Sequence, residues 1–345
     1  STDPAKHAAA AYSTAMLHVR HHDPARRDPQ AALAWINQAV AISTLLPDRR
    51  LRAFKLGFDL NGKALVETRL GRVEAALRLV EEAIELAERE LPPGAHPIHR
   101  LVLRANRAQL NVMLGRLEPA LADLDAVIAA DPQYPDYYLD RGNLLYRLGR
   151  WDEAVRDYET AMRVGPPFPE PYYNRAEIRF ARGDHLGALA DLDYALELEP
   201  DFVDGYVNRA GLLVALEEYG RARRDAEYGL GLDPGNPYLL CALGQVEMAE
   251  ARHAQARQAF DQALQRDPEL AVAWANRGML AYDLGDLDGA IADLTRAIRV
   301  SEDATVLFNR AIALRAAGRE QEAMADLVRA RELAPDDEDI RRAIG

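Results

Sequence analysis

Residues 135–168 decide the fold, and they read PDYYLDRGNLLYRLGRWDEAVRDYETAMRVGPPF. Aligning the chain with itself shows that this segment recurs with a period of 34 residues. A fixed period of this length is typical of repeat proteins, in which each unit buries its apolar face against its neighbours. The clearest units, with one residue deleted before the last, begin at Leu101, Pro135, Pro169, Val203, Pro237, Ala271 and Ala304.

Several positions of the unit, counted from its first residue, carry the residue types that a helical hairpin requires. Small residues at positions 8 and 20 let two helices approach closely, and apolar residues between them follow the helical period. Glycine near position 15 suits the left-handed conformation that ends a helix, and Asp-Pro at positions 31 and 32 ends the second helix. The sequence therefore predicts an all-α fold. Position 8 is Ala108, Gly142, Ala176, Ala210, Gly244, Gly278 and Ala311, and position 20 is Ala120, Ala154, Ala188, Ala222, Ala256, Ala290 and Ala323.

These columns resemble the motif of the tetratricopeptide repeat family. Trp274, Gly278, Ala290, Ala297 and the segment Leu148-Gly149-Arg150-Trp151-Asp152-Glu153-Ala154 stand where that motif places them. The resemblance is strong over about two-thirds of the chain. It implies a right-handed superhelical solenoid of antiparallel helix pairs, with about nine repeats, in which the first helix of each pair lines a concave groove.

The repeats are expected to form a single domain over residues 1–345, because no segment rich in Pro, Gly and Ser interrupts them. The segment Leu91–Pro97 resembles the longer repeat of kinesin light chains, and Ala32, Ile36 and Ala39 indicate a degenerate first repeat. The predicted boundaries are 13–46 for the degenerate repeat, 57–100 for the long repeat, 101–337 for seven regular repeats and 338–345 for a capping helix.

An arginine at position 7 accompanies an aspartate at position 23. The one repeat without the arginine, at Leu243, also lacks the aspartate, at Ala259. Leaving one member of a buried ion pair alone costs about 3–5 kcal/mol, so joint loss indicates structural pairs within each hairpin. The alternative is a row of arginines that binds anions, but the matched aspartates already neutralise them. The predicted pairs are Arg107–Asp123, Arg141–Asp157, Arg175–Asp191, Arg209–Asp225, Arg277–Asp293 and Arg310–Asp326.

Position 6 is a column of carboxamides with no such partner column. It resembles the asparagine ladder in the repeat domain of O-linked N-acetylglucosamine transferase, which implies that these side chains hold the backbone of an extended polypeptide in the groove. A carboxamide offers one acceptor and two donors, which suits a peptide unit. The alternative is local hydrogen bonding between helices. The predicted rungs are Asn106, Asp140, Asn174, Asn208, Asn276 and Asn309, with a break at Ala242.

Aromatic residues at positions 5 and 12 are candidates for additional contacts with the polypeptide. One hydrogen bond contributes about 0.5–1.5 kcal/mol, whereas ordering a peptide costs about 1–2 kcal/mol for each residue, so carboxamides alone give weak affinity. Packing between adjacent repeats is an equal alternative for these aromatic side chains. The candidates are Tyr146, Phe180 and Tyr282 at position 12, with Tyr173 and Phe308 at position 5.

Three features suggest chemistry, but each has a simpler structural interpretation. The segment Gly57–Ala64 lacks the hydroxyl that ends a phosphate-binding loop, and it lies in a helical segment. His18, His21 and His22 share a face if they are helical, but no further metal-binding pattern accompanies them. Cys241 is the only cysteine and is expected to be a buried apolar residue. We therefore predict no metal, no cofactor and no catalytic residue.

Charge and composition limit the partners. A formal net charge of −13 disfavours nucleic acid, which is bound mainly through Lys and Arg. No long apolar run predicts membrane insertion, and the lack of a leader and the single cysteine predict a cytoplasmic location. The chain opens with Ser1, which suggests a processed or excised piece.

We accordingly expect a scaffold, not an enzyme, that binds a protein or an extended peptide segment. Two alternatives stay open. The first is a substrate-recognition or regulatory arm of a larger or partner enzyme, for which the full-length gene product would decide. The second is a structural protein that self-associates into a homo-oligomer, for which the mass in solution at increasing concentration would decide.

Overall fold

The computed structural model describes residues 3–344, and within these residues the chain is helical with no β-strand. Its contacts divide it into two compact units, one ending at Pro167 and the other beginning at Phe168. In unit 1 a 3₁₀ turn, Pro24–Arg26, joins the first two helices. The helices of unit 1 are α1 Pro4–Val19, α2 Pro29–Thr44, α3 Arg49–Arg69, α4 Val73–Glu90, α5 Pro97–Met113, α6 Leu117–Ala130, α7 Pro135–Arg147 and α8 Trp151–Val164.

Unit 2 continues the same pattern of paired helices. Its first helices begin at the residues that start the sequence repeats, as does α7 of unit 1. The final helix α19 follows the last hairpin, and its Ile340 is buried against Leu307 and Ala330. The helices of unit 2 are α9 Pro169–Ala181, α10 His185–Leu198, α11 Val203–Ala215, α12 Tyr219–Leu232, α13 Pro237–Ala249, α14 His253–Arg266, α15 Ala271–Asp283, α16 Leu287–Val300, α17 Ala304–Ala316, α18 Glu320–Leu333 and α19 Glu338–Ile344.

The N-terminal hairpins begin earlier in the sequence than the repeat pattern indicates. Helix α1 begins at Pro4, where the side chain of Asp3 accepts a hydrogen bond from the Ala5 amide at 3.0 Å. Helix α3 begins at Arg49, not near residue 57, because Asp48 caps it through the Leu51 amide at 2.7 Å. These aspartates are ordinary helix-capping residues, and they set the boundaries where the repeat motif is weak.

The two helices of a hairpin fit together because a small residue at position 8 faces a larger one at position 24. A methyl group built on Gly142 would lie 2.6 Å from the ring of Tyr158, and one on Gly244 would lie 2.5 Å from the ring of Phe260. Tyr158 and Phe260 are the two largest fully buried side chains in the described structure. Glycine therefore occurs in these two repeats because an aromatic ring occupies the volume that a β-carbon needs.

Candidate functional site

Each arginine at position 7 lies against the aspartate 16 residues later in the same hairpin. In the hairpin of α7 and α8, Nε and Nη2 of Arg141 donate to the two carboxylate oxygens of Asp157, both at 2.7 Å. The aspartate is buried and the arginine is about a quarter exposed. The other five pairs have the same two-point geometry, at 2.6–2.9 Å: Arg107–Asp123, Arg175–Asp191, Arg209–Asp225, Arg277–Asp293 and Arg310–Asp326.

A second carboxylate from the preceding hairpin completes several of these sites. Nη1 of Arg141 donates to Asp125 at 2.7 Å, so one guanidinium joins two consecutive hairpins of unit 1. In unit 2, Arg209 reaches Asp193 and Arg277 reaches Asp261 in the same way. The hydrogen bonds that Arg141 donates to Asp157 and to Asp125 raise the pKa of Arg141 further above its ordinary value. The acidic residues at position 25 are visible in the sequence, but their contact with the arginine of the next hairpin could not be predicted from it.

An aromatic residue at position 4 flanks the arginine in four repeats. The guanidinium carbon of Arg277 lies 4.7 Å from the ring centroid of Trp274, a distance at which a cation–π interaction is favourable. The indole nitrogen of Trp274 also donates to the backbone carbonyl of Pro268 at 2.8 Å. The corresponding rings in the other repeats are Tyr138, Tyr172 and Tyr206. Each of these guanidinium groups is engaged by a two-point aspartate contact and by an aromatic ring, which leaves little support for a row of arginines that binds anions.

The repeat of α13 and α14 has a different ion cluster in place of the missing pair. The carboxylate of Glu247 is buried and accepts from Nη1 of Arg223 at 2.5 Å and from Arg252. Arg223 also donates to Glu250 at 2.8 Å. These contacts join α12 to α13, so this part of unit 2 has ion pairs between side chains at other positions of the repeat.

The first helices of the hairpins form one surface in each unit, which we call the A face of that unit. The A face of unit 1 comprises α1, α3, α5 and α7, and that of unit 2 comprises α9, α11, α13, α15 and α17. The predicted rungs at position 6 are all half-buried on these helices: Asn106, Asp140, Asn174, Asn208, Asn276 and Asn309.

In unit 1, residues at position 6 contact the preceding first helix. Nδ2 of Asn106 donates to Oδ1 of Asn61 on α3 at 2.8 Å. Asp140 accepts a hydrogen bond from Gln109 on α5, although burial dominates and raises the pKa of the Asp140 carboxyl. Neither Asn61 nor Gln109 was predicted from the sequence to belong to the site, although both are polar residues of first helices.

In unit 2, two asparagines make the same kind of contact. Asn208 is hydrogen-bonded to the hydroxyl of Tyr173 on α9. Nδ2 of Asn276 donates to Sγ of Cys241 on α13 at 3.5 Å. Four of the six predicted rungs at position 6 therefore contact the preceding first helix, which is the local hydrogen bonding predicted as the alternative to a ladder. Each observed bond uses only part of the capacity of a carboxamide, which has two donor hydrogens and one acceptor oxygen.

Two clefts open on the A face of unit 1, and carboxamides line both. A cleft of about 240 Å³ between α1, α3 and α5 is lined by Tyr12, Arg20, Asn61, Asn106 and Gln109, among others. A second cleft, of about 290 Å³, lies between α5 and α7, and its lining includes Gln109, Asp140, Asn143 and Arg147. Gln109 belongs to both clefts, so the two adjoin along the same face.

The A face of unit 2 carries a larger cleft, of about 410 Å³. Asn208 and Gln245 bring carboxamides to it, and Glu177 brings a carboxylate. Phe180 forms part of the wall and is 44% exposed. The floor is apolar and comes from residues of both helices of the hairpin, including Ala188 and Leu192 of α10. This cleft contains two of the residues that the sequence predicts to bind a peptide, Asn208 and Phe180.

Comparison with known proteins decides the family. The sequence model of the tetratricopeptide repeat matches residues 105–168, 139–201, 173–237, 207–271, 241–299 and 275–338, which together span more than half of the 345 residues. A second tetratricopeptide repeat model matches residues 60–98. The chain belongs to the tetratricopeptide repeat family. A search of curated protein sequences finds no match.

Solved structures with similar folds include other tetratricopeptide repeat proteins. The APC/C hetero-tetramer Cut9-Hcn1 is 16% identical, with a TM-score of 0.60, and the match covers 99% of this chain and 84% of that one. A tetratricopeptide repeat protein from Parabacteroides merdae is 17% identical, with a TM-score of 0.43, over 84% of this chain and 97% of that one. The pilF protein of Pseudomonas aeruginosa is 16% identical, with a TM-score of 0.49, over 61% of this chain and 96% of that one. At such low sequence identity, the similarity to these structures concerns the fold alone.

The predicted aromatic contacts fall into two groups within these tetratricopeptide repeats. Tyr146 stacks against Trp151 with ring centroids 6.2 Å apart, and Tyr173 meets Phe202 edge-on at 5.2 Å. Tyr282 packs, together with Phe308, against the apolar core of the last two hairpins. These side chains make the packing contacts that were the alternative to peptide binding. Of the five, only Phe180 is exposed, and the other four are half-buried.

The remaining candidates for chemistry take structural places in the repeats. Residues 57–64 lie inside helix α3, so they form no phosphate-binding loop. Helix α1 ends at Val19, so His21 and His22 lie beyond it and do not share a helical face with His18. Cys241 is buried, and burial raises the pKa of its thiol to about 11. Across residues 3–344 no group of three or more His, Cys, Asp or Glu residues is placed to hold a metal ion.

None of the helices in the described range is long and apolar enough to cross a membrane.

Proposed function

We propose that this protein is a binding scaffold that holds an extended polypeptide segment against the A faces of its tetratricopeptide repeats. The observation that carries the proposal is that each unit has an open cleft on its A face that is lined by carboxamides at positions 6 and 9. Tetratricopeptide repeats generally serve as scaffolds for protein interaction, which agrees with the fold of this chain. The proposal has no catalytic component.

Carboxamides suit the backbone of a peptide for a chemical reason. A peptide unit offers one N–H donor and one carbonyl acceptor, and a single carboxamide can satisfy both. The hydrogen bond from Asn106 to Asn61 fixes the orientation of the Asn106 carboxamide. The same carboxamide has a second N–H donor and a carbonyl acceptor that can face a peptide. Side chains held in place by their neighbours lose less conformational entropy when they bind a ligand.

The clefts supply the affinity that hydrogen bonds alone do not. Each net hydrogen bond contributes about 0.5–1.5 kcal/mol, which is similar to the cost of ordering one peptide residue. Burying one large apolar side chain contributes about 1.5–3 kcal/mol. We therefore expect binding to combine backbone contacts at position 6 with one or two apolar side chains of the ligand inserted into the clefts.

The test replaces Asn174, Asn208 and Asn276 by Ala together. The probe is a fluorescein-labelled peptide obtained by selecting a random dodecapeptide phage library on the wild-type chain. We expect the triple variant to bind it about 5- to 30-fold more weakly by fluorescence anisotropy, with its helical circular dichroism retained. The matched control replaces Gln258, Gln262 and Gln265, three exposed carboxamides of α14, by Ala.

Two results would contradict the proposal. One is a selection that yields no peptide above background, and the other is equal affinity of the two triple variants for the peptide. Light scattering on the same samples tests the self-association alternative, because a mass that rises with concentration would show that copies of the chain associate.

A further inference from the structure

We infer that the cleft on the A face of unit 2 selects peptide segments in which a large apolar side chain stands close to a Lys or Arg residue. This inference rests on the proposed function, since it names the kind of segment that one of the clefts accepts. It follows from the shape of the cleft floor, from a missing side chain at Gly211 and from the charge of the lining.

The floor of the cleft is apolar and consists of well-buried side chains. Ala176, Ala188, Leu192 and Leu212 are each at least 97% buried and have no polar side-chain atoms. The volume of about 410 Å³ lies at the lower end of the range of natural ligand pockets, about 300–1,000 Å³. A leucine or aromatic side chain of the ligand suits this cleft, because its insertion would remove apolar surface of both partners from water. Its full burial corresponds to about a 10- to 100-fold gain in affinity.

Gly211 keeps the cleft open. It occupies position 9 of its repeat, where the other repeats of residues 101–337 carry the larger side chains of Gln109, Asn143, Glu177, Gln245, Met279 and Ile312. A methyl group built on Gly211 would meet no atom within 4 Å, so the space above it is free. Glycine in the middle of a helix is less favourable than alanine by about 1 kcal/mol or less, and no crowding here requires it. Because Gly211 has no side chain, the cleft stays open above it.

The charge of the lining is acidic. Glu177 is the one ionisable residue among those that line the cleft, and no Lys or Arg lies among them. A second carboxylate, Asp204, lies one helical turn before the lining residue Asn208 on the same helix α11. By contrast, the two clefts on the A face of unit 1 include Arg20 and Arg147. A cation beside the apolar side chain of the ligand therefore fits unit 2.

The two parts of the recognition contribute unequally. Ion pairs exposed to solvent contribute about two- to fivefold in affinity, and less at high salt. Insertion of the apolar side chain contributes more, so the carboxylates act mainly by selecting among apolar segments. An acidic residue in the place of the Lys or Arg would be repelled by Glu177 and Asp204.

The experiment uses the full chain and peptides selected from the random dodecapeptide library. We expect the selected peptides to share a large apolar residue with Lys or Arg within three positions of it. The Gly211→Leu variant fills the cleft, and we expect it to weaken binding of the synthetic consensus peptide at least 10-fold. The Glu177→Gln variant should weaken it two- to fivefold, and should have no effect on a peptide whose Lys or Arg is replaced by Gln.

Gly220→Leu is the matched control. Gly220 is also an exposed helical glycine with no atom within 4 Å of a built methyl group, but it lies on α12, outside the cleft. Both substitutions raise helix propensity, so neither should unfold the protein. Equal affinities of the Gly211→Leu and Gly220→Leu variants would overturn the inference, and so would selected peptides without enrichment in Lys or Arg.

The inference and the proposed function fail in different ways. Peptides that bind, and that bind more weakly to the triple asparagine variant but equally well to Gly211→Leu, would overturn only the cleft assignment. A library selection without any binder would overturn both.

Discussion

Arg141 and Asp157 form a two-point ion pair across the hairpin of α7 and α8, with both N–O distances at 2.7 Å. The pair lies where another hairpin has Leu243 and Ala259. Positions 7 and 23 of the repeat are therefore occupied in two ways. Most hairpins have a charged pair there, and one hairpin has two apolar residues.

The Asp157→Ala variant should be clearly less stable than wild type. It leaves the Arg141 guanidinium without the carboxylate that takes two of its hydrogen bonds, and Arg141 is only 23% exposed. We expect the free energy of unfolding to fall by about 2–4 kcal/mol, as measured by urea titration of the helical circular dichroism.

The double variant Arg141→Leu and Asp157→Ala should recover more than half of that loss. It reproduces the apolar pair of the α13 repeat and removes the unpaired charge. The contact between Arg141 and Asp125 is lost as well, but Asp125 is largely exposed, so little stability goes with it. Additive effects of the two single changes would contradict the interpretation of a coupled pair.

The Gly142→Ala variant should be less stable, although alanine favours helices. Its new methyl group would lie 2.6 Å from the ring of the fully buried Tyr158. We expect a loss of about 1–3 kcal/mol from overpacking, measured by urea titration. Replacing Tyr158 by Leu in the same chain should remove the conflict, because Ala108 and Leu124 form this combination in the repeat before it. A stabilising Gly142→Ala change would show that the ring moves aside easily.

Ala251 holds a backbone conformation that alanine rarely adopts. Its φ is 59°, whereas the same turn between the two helices of other hairpins has glycine, as at Gly149 with φ 72°. We expect Ala251→Gly to raise the thermal midpoint by an amount equivalent to about 1 kcal/mol, and Gly149→Ala to lower it by a similar amount. Circular dichroism melts of the two variants check the prediction, and midpoints that shift in the same direction would refute it.

Asp59 should make the stability depend on pH. It is buried, and burial raises the pKa of its carboxyl to about 6, against the opposite effects of the Ser43 hydroxyl at 2.6 Å and of Lys55. Below about pH 4 the Asp59 carboxyl is protonated in both the folded and the unfolded chain, so the folded chain holds no buried charge at Asp59. As the pH rises through 6, the folded chain must hold a buried carboxylate, and stability falls by about 1–3 kcal/mol.

The Asp59→Asn variant should lack this loss. Its carboxamide can still accept from Ser43, so the variant should be more stable than wild type at pH 7 and similar to it at pH 4. Urea titrations at pH 4, 5, 6 and 7 measure the difference, in which the other titrating groups cancel. A difference that does not change with pH would contradict the raised pKa of Asp59.

Much of the fold was readable from the sequence because its determinants lie within one repeat. The spacing of 16 residues between Arg141 and Asp157 is set by the helix length and the turn, so a repeated column of residues predicts which side chains face each other. The N-terminal boundaries were less predictable, because Asp3 and Asp48 act through single capping bonds that leave no periodic pattern.

The candidate site was only partly predictable. Position 6 was identified from its column of asparagines, but its contacts with Asn61, Gln109 and Tyr173 involve the preceding helix. The offset between consecutive first helices decides which side chains meet, and a sequence period does not specify that offset. The same reason explains why the second carboxylate of Arg141, at Asp125, was missed.

The sequence by itself determined that the chain is a series of helical hairpins and which residues pair inside each one, because both depend on short separations along the chain. Only the tertiary structure decided that Tyr146 and Tyr173 are used for packing, and that the space beside Phe180 and above Gly211 is an open cleft. Those outcomes depend on how closely one hairpin packs on the next, which is a property of whole side-chain surfaces and not of any one repeat.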